Sequence, residues 1–317
     1  MPSNLKKISI VIPVFNEEFV LPELFARLLT MLARNKSEFD SEIVFVDDGS
    51  TDKSATLIRE FISIETHGYL ISLSRNFGHQ AAILAGLNNV TGDAVVIMDA
   101  DLQDPPEVIP KFVQKWQEGC EVVYGKRNVR NGETIFKRAS ASIFYRLINW
   151  ITDVDIPRDA GDFRIVDKKL IDIIVSMEEK SLYLRGIFAW MGFRQEPLIY
   201  DRDVRFAGST KYPVKEMTKL AWDAVLSFSE KPLALVMRIG VVISLLAFSA
   251  AGFFVVIGFL DYGWRAPGWL SLILVILCLS GVQLVSMGFI GSYVLRIYRQ
   301  AKNRPLYLIN RKNSIIK

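Results

Sequence analysis

Hydrophobic and polar positions change their spacing repeatedly along the first 125 residues, and each change marks an element. Ile8 to Val14, Ile43 to Val46, Tyr69 to Leu73, Ala94 to Met98 and Val122 to Tyr124 are short apolar runs of strand length. Between them, Glu17 to Ala33, Ser54 to Ile64, Gly78 to Asn89 and Glu107 to Glu118 have the length and apolar spacing of helices. Strands alternating with helices predict an α/β domain with a mainly parallel sheet, whose ligands bind at the carboxyl ends of the strands. Residues 126–205 mix helical and short strand patterns. Val214 to Ser229 reads either as an amphipathic helix in a membrane interface, with Lys215 and Lys219 toward anionic lipid, or as a surface helix packed on the head.

The pattern then becomes uniformly apolar. Ile239 to Leu260 is 22 residues without a charge and Pro267 to Leu295 is 29, each enough for a helix to cross a hydrocarbon layer about 30 Å thick. Soluble helices of that length carry a polar stripe, which these lack. Asp261 to Ala266 holds one acid and one base, whereas Arg296, Arg299, Lys302, Arg304, Arg311, Lys312 and Lys317 follow the second run with no acid among them. Excess basic charge stays on the cytoplasmic side, so a hairpin is expected with the head and both termini in the cytoplasm. The expected division is a head over 1–212, a juxtamembrane helix over 213–231, two spans within 232–298 and a basic tail over 299–317. The apolar run after Lys6 and Lys7 is broken by Pro13 and followed by Asn16, Glu17 and Glu18, unlike a signal peptide. A net charge of +4, concentrated near the spans, is not a nucleic-acid footprint. Cys120 and Cys278 fall in different settings and suggest no disulfide framework.

The candidate chemistry lies where the predicted strands end. No G-x-G-x-x-G follows the first strand and no Walker lysine loop occurs, which disfavours a dinucleotide oxidoreductase or a P-loop NTPase. Asp47-Asp48-Gly49-Ser50-Thr51-Asp52 follows the second strand; carboxylates there can accept from a base or ribose, Gly49 permits the turn, and Ser50, Thr51 or Asp52 can cap the next helix. Asp99-Ala100-Asp101-Leu102-Gln103-Asp104-Pro105-Pro106 follows the fourth. Two carboxylates at i and i+2 in extended backbone share one face, a hard oxygen set suited to Mg²⁺ or Mn²⁺. With only His67 and His79 in the chain, a histidine-rich zinc site is not expected.

These segments, with Val11-Ile12-Pro13-Val14-Phe15-Asn16-Glu17-Glu18, Arg75-Asn76-Phe77-Gly78, Gly161-Asp162-Phe163-Arg164, and Arg205-Phe206-Ala207-Gly208-Ser209-Thr210-Lys211-Tyr212, resemble family 2 glycosyltransferases of the Rossmann-like GT-A fold. The branch they are most similar to is the polyprenyl-phosphate glycosyltransferases, which include bactoprenol glucosyltransferases and dolichyl-phosphate mannose synthases. The resemblance implies that Pro13, Phe15 and Glu17 line the nucleotide, with Asp47, Asp48 and Asp99 adding polar contacts. It implies a metal site of Asp99, Asp101 and Gln103, filled by Mg²⁺ or Mn²⁺. It implies an acceptor-phosphate site of Arg127, Arg138 and Ser142, with Arg205, Ser209 and Lys211 in a loop that closes over the substrates. Asp159 and Asp162 fall where the family places a carboxylate near the reacting centre; a salt bridge of Asp162 with Arg164 or another neighbour is the structural alternative.

The implied partners are a nucleotide-sugar, a polyprenyl phosphate and the membrane, without nucleic acid; a homo-oligomer is possible. The implied place is the inner membrane of a bacterium. Glucose from UDP-glucose is the preferred donor, because Gly161-Asp162-Phe163-Arg164 resembles the bactoprenol branch; mannose from GDP-mannose or a modified arabinose is the alternative. A processive polysaccharide synthase is weakened by the lack of a Q-x-x-R-W segment and by only two spans. A silent membrane-bound nucleotide-sugar sensor would not need the Asp99 and Asp101 pair.

Overall fold

In a computed structural model, residues 5–64, 67–127, 160–177, 179, 183–201, 231–259 and 268–316 are described. The head is built on a seven-stranded sheet in the order β3-β2-β1-β4-β6-β5-β7. The strands are β1 (Lys7–Val14), β2 (Asp40–Asp47), β3 (Gly68–Ser72), β4 (Ala94–Ile97), β5 (Val122–Arg127), β6 (Ala160–Asp167) and β7 (Gln195–Tyr200). The β1–β2, β2–β3, β1–β4 and β5–β7 pairs are parallel, and β6 runs antiparallel between β4 and β5. The five expected strands are present. The sheet is mixed because β6, hidden in the region of mixed patterns, enters it in reverse.

Helices α1 (Leu21–Asn35), α2 (Ser54–Ile64), α3 (His79–Leu87), α4 (Ile109–Gln117), α5 (Lys168–Ser176) and α6 (Leu184–Trp190) connect or flank the strands. The sheet is buried on both faces. One apolar cluster joins Ile8, Ile10 and Ile12 to α1 and α4; the other joins Val11, Val44 and Val46 to α3, α5 and α6. This explains why the strands read as continuous apolar runs. Helix α3 approaches β1 and β2 closely because Gly86 has no side chain: a Cβ there would sit 2.4 Å from Val11 Cγ1.

Two helix starts differ from expectation. Helix α1 begins at Leu21 because Glu17 to Val20 form a turn, with Val20 N–H on the Glu17 carbonyl, and Pro22 favours the helix start just after it. Pro106–Val108 is a short 3-10 turn before α4.

Two long helices follow, α7 (Lys231–Phe259) and α8 (Gly268–Ala301). Among the described side chains, no helix presents a run long and apolar enough to cross a membrane. Asn303, in the left-handed conformation, ends α8, and Pro305 follows. The chain then returns to the head. Leu70 and Ile315 exchange two backbone hydrogen bonds, of 2.9 and 2.7 Å, and Ser74 N–H donates to Leu308 at 2.8 Å. Ser72 N–H donates to Ser314 Oγ, and Arg59 donates to the Asn313 carbonyl. Leu306, Tyr307 and Ile309 pack on the second apolar cluster. The expected basic tail is therefore a strap along β3, with apolar residues facing in between its charges.

Candidate active site

The loops after β1, β2, β3 and β4 meet at one edge of the sheet and hold each other by side chain to backbone bonds. Asn16, at φ 54°, donates its N–H to Ser50 Oγ and accepts from Thr51 N–H; Glu17 N–H donates to Ser54 Oγ. Asp52 accepts from Glu18 N–H and from Ser54 N–H at the start of α2, which assigns the cap to this one of the three candidates. Asp47 Oδ1 accepts from Ser50 N–H. Asp48 uses both oxygens, accepting from Phe77 N–H at 2.7 Å and Gly78 N–H at 2.9 Å, so it clips the β3 loop to the β2 loop. Burial pushes Asp48 above its ordinary pKa despite those two donors. Gly49 has φ 71°, and a Cβ on it would lie 2.5 Å from the Arg75 carbonyl carbon. Pro13 is buried; Phe15 and Glu17 are half-buried at the rim of these loops.

The fourth loop carries the Asp99 to Asp104 segment. Asp101 is buried and accepts from Gln103 N–H at 3.1 Å. Leu102 between them is buried in the left-handed region at φ 57°, a conformation that costs a branched side chain about 1–3 kcal/mol and that clusters at functional sites. Asp104 is buried and accepts from the Tyr200 hydroxyl at the end of β7. Gly125 makes room for that tyrosine ring.

Strand β6 completes the site. Ile97 pairs with Arg164, and continuing that register by two residues sets Asp99 opposite Asp162. Buried Asp162 is held by Arg185 of α6, from Nε at 2.8 Å to one oxygen and from Nη2 at 3.1 Å to the other. His79, the first residue of α3, lies between the carboxylates, its Nε2 3.3 Å from Asp99 Oδ1 and 3.4 Å from Asp162 Oδ2. Gln80 reaches Asp162 and accepts from Leu184 N–H, tying the starts of α3 and α6 together.

The charges are strongly coupled. Burial pulls the His79 pKa down, but Asp99 and Asp162 outweigh it and raise it to about 9. Asp99 is pushed up to about 6 by burial and by Asp162, Asp104 and Asp101, with His79 acting against them. Its Oδ1 is sealed from solvent without a hydrogen bond, while the side chain as a whole keeps 30% exposure. Burial works against ionised Asp162, but Arg185 and His79 hold it well below the carboxylate range.

Asp162 thus forms its ion pairs with Arg185 and His79. Arg164 stacks on Phe188 and donates to the Gly161 carbonyl. Of the other expected site residues, Arg127 ends β5, and Asp159, Arg138, Ser142, Arg205, Ser209 and Lys211 lie outside the described residues. Sequence reading missed His79, Gln80 and Arg185; the position of His79 directly after Arg75-Asn76-Phe77-Gly78 was the available signal.

Strand-end carboxylates gathered at one edge of this sheet fit a nucleotide-sugar enzyme, and residues 9–174 match the model of glycosyl transferase family 2. The chain belongs to that family, and its head has the α/β GT-A fold with a mixed, mostly parallel sheet. It is similar to an uncharacterised glycosyltransferase of Bacillus subtilis (strain 168), with 46% identity over 97% of this chain and 94% of that one. It is also similar to the prophage bactoprenol glucosyl transferase homolog of Escherichia coli (strain K12), with 38% identity over 96% of this chain and 99% of that one. The SfII prophage-derived bactoprenol glucosyl transferase of Shigella flexneri is 37% identical over 97% of this chain and 98% of its own.

Proposed function

We propose that this glycosyltransferase moves glucose from UDP-glucose to a polyprenyl phosphate, undecaprenyl phosphate in a bacterial cell. The observation that carries the reading is the Asp99, Asp101 and Asp162 cluster at the strand ends, in a chain similar over nearly its whole length to bactoprenol glucosyl transferases. An oxygen of the acceptor phosphate forms a bond to the anomeric carbon, the bond from that carbon to the diphosphate breaks, and UDP leaves with the electron pair. The anomeric configuration inverts. A phosphate monoester has a second pKa near ~6 and is largely dianionic at neutral pH, so no strong base is needed. Asp162, paired on both oxygens, suits an orienting role; Asp159 is the other carboxylate assigned to the reacting centre.

Among the described residues, no three His, Cys, Asp or Glu side chains converge to hold a metal by themselves. A site made of two carboxylates and the substrate's own phosphate oxygens suits Mg²⁺ or Mn²⁺. Asp99 Oδ1 is sealed from solvent with no hydrogen bond and has the cationic His79 beside it against three other carboxylates, a surplus of negative charge that fits such a cation. Asp99 and Asp101, with Gln103, would hold it. When bound, it stabilises the negative charge on the departing diphosphate. Pro13, Phe15, Glu17, Asp47 and Asp48 are assigned to the nucleotide, and Arg127, Arg138, Ser142, Arg205, Ser209 and Lys211 to the acceptor phosphate, where guanidinium forks bind bidentately.

The same reading places α7 and α8 in the membrane as a hairpin below a cytoplasmic head. At 29 and 34 residues the helices are about 43 and 51 Å long. Leu235, Leu245, Leu246, Leu272, Val275, Leu284 and Met287 are exposed along them, an arrangement favoured in lipid rather than water. The return of residues 306–316 to β3 supports two crossings, since head and tail must share one side. The reading keeps the division into a head (1–212), juxtamembrane helix (213–231), hairpin (232–298) and tail (299–317), of which residues 202–230 and 260–267 lie outside the described residues. Purified protein given radiolabelled UDP-glucose, GDP-mannose and a UDP-linked modified arabinose in turn, with undecaprenyl phosphate and Mn²⁺ or Mg²⁺, should label lipid from UDP-glucose. Labelling only from another donor would replace glucose, and none from any donor would favour a sensor.

A further inference from the structure

We infer that Arg185 is a phosphate-binding residue of this site, with Asp162 as the carboxylate that aims it. The inference rests on the donor site proposed at Asp99 and Asp101. A guanidinium carries five N–H donors in one plane. Asp162 takes Nε–H and one hydrogen of Nη2 in a side-on fork, which leaves the two hydrogens of Nη1 and the second of Nη2 on edges turned away from it. Among the described residues, Arg185 makes no other hydrogen bond. The pair is lopsided: the Arg185 side chain is 38% exposed and that of Asp162 only 8%. That exposure leaves part of the guanidinium within reach of a ligand while its fork holds Asp162.

Location supplies the rest. The register of β4 and β6 sets Asp162 beside Asp99, and the Gln80 bond to Leu184 N–H fixes the first turn of α6 against the first turn of α3. The Arg185 guanidinium therefore stands at the same edge of the sheet as the Asp99 loop, where the proposed donor site lies. His79 shares the neutralisation of Asp162 from the other side, so Arg185 can give its remaining donors to a ligand. The ligand class is a phosphate oxygen, either from the diphosphate of the donor or from the monoester of the acceptor. A rigid planar fork suits such oxygens better than a lysine ammonium.

The test uses full-length protein in detergent. Arg185→Gln removes the charge, and the double variant Arg185→Gln with Asp162→Asn removes the whole ion pair, so that no buried charge is left alone to unfold the head; Arg185→Lys keeps the pair should neither amide variant fold. UDP binding is measured by calorimetry with Mn²⁺ and no acceptor, and KM for undecaprenyl phosphate is measured at saturating donor. Loss of one charge-assisted contact predicts roughly ten- to a hundredfold in one of the two quantities, and a smaller loss in the lysine variant. Weakened UDP binding identifies the donor diphosphate as the ligand; a raised acceptor KM with normal UDP binding identifies the acceptor monoester. Folded variants within twofold of the native protein in both quantities would overturn the inference. Asp99→Asn serves as the control: if it abolishes UDP binding while the Arg185 variants stay within twofold of the native protein in both UDP binding and acceptor KM, only the role of Arg185 falls. If Asp99→Asn itself binds UDP normally, the donor site is misplaced and both fall.

Discussion

His79 offers a direct reading of the charge cluster, because its protonation contributes to stability in a pH window where few side chains titrate. In the folded head its pKa is raised from 6.5 to about 9, with burial opposing and Asp99 and Asp162 prevailing. A raised folded pKa means that the stabilisation is fully present below pH 6.5 and is lost as pH rises through about 9. A rise of that size corresponds to roughly 3 kcal/mol before screening. The imidazole keeps 28% exposure, so solvent screening reduces the figure. For a head of this size that is a fall of up to roughly 6–12 °C in melting temperature across the window. The assay is thermal unfolding of the full chain in detergent, with chelator and without nucleotide, at intervals from pH 6 to 9.5. His79→Gln should melt lower at pH 6 to 7, because Asp99 and Asp162 then face each other without a cation between them, and its curve should be flatter. The two curves should converge near pH 9.5. Parallel curves with a constant gap would refute the reasoning, since His79 would then be neutral throughout and its loss merely a packing defect.

Asp99→Asn and Asp101→Asn should each lower glucosyl transfer more than a hundredfold and weaken Mn²⁺-dependent UDP binding at least tenfold, on the order of a lost metal ligand; calorimetry on folded variants checks this. Gly49→Ala should destabilise the head by about 2 kcal/mol or more, because φ is 71° and the new Cβ meets the Arg75 backbone at 2.5 Å; thermal melting reads it, and an unchanged midpoint would contradict the packing. Tyr262→Cys in a background lacking Cys120 and Cys278 should react with an impermeant thiol reagent only from outside the cell, and labelling only from the cytoplasmic side would exclude the hairpin. Arg205→Ala should raise the KM for undecaprenyl phosphate roughly ten- to a hundredfold, with partial rescue by lysine, while UDP binding without acceptor stays within twofold.

The parallel half of the sheet was legible because each strand buried on both faces is a continuous apolar run and each loop after it carries its own polar cluster. Asp47-Asp48-Gly49 and Asp99-Ala100-Asp101 stood out because both follow predicted strands and fall at the same edge of the sheet, where neither spacing alone is decisive. Strand β6 was not legible: Gly161-Asp162-Phe163-Arg164 interrupts its apolar pattern with two charges, and both are buried. Their partners lie far away in sequence, with His79 on α3 and Arg185 on α6. No local period can report an ion pair closed by tertiary register. The tail was misleading for the opposite reason. Its charge drew attention from Leu306, Tyr307 and Ile309, which pack on the head.

That strap has a consequence for how the molecule is made. The β3 edge comes from residues near position 70, and its cover comes from residues 308–315. During synthesis the edge therefore stays open until residues 308–315 have left the ribosome, after the two long helices have been made. A copy cut short between α8 and residue 308 would present the unpaired edge at Leu70 to Leu73 to its neighbours, the kind of surface that recruits strands from other chains. Only a chain that extends through residue 315 closes it, so the segment 308–315 separates copies with a covered β3 edge from copies with a bare one.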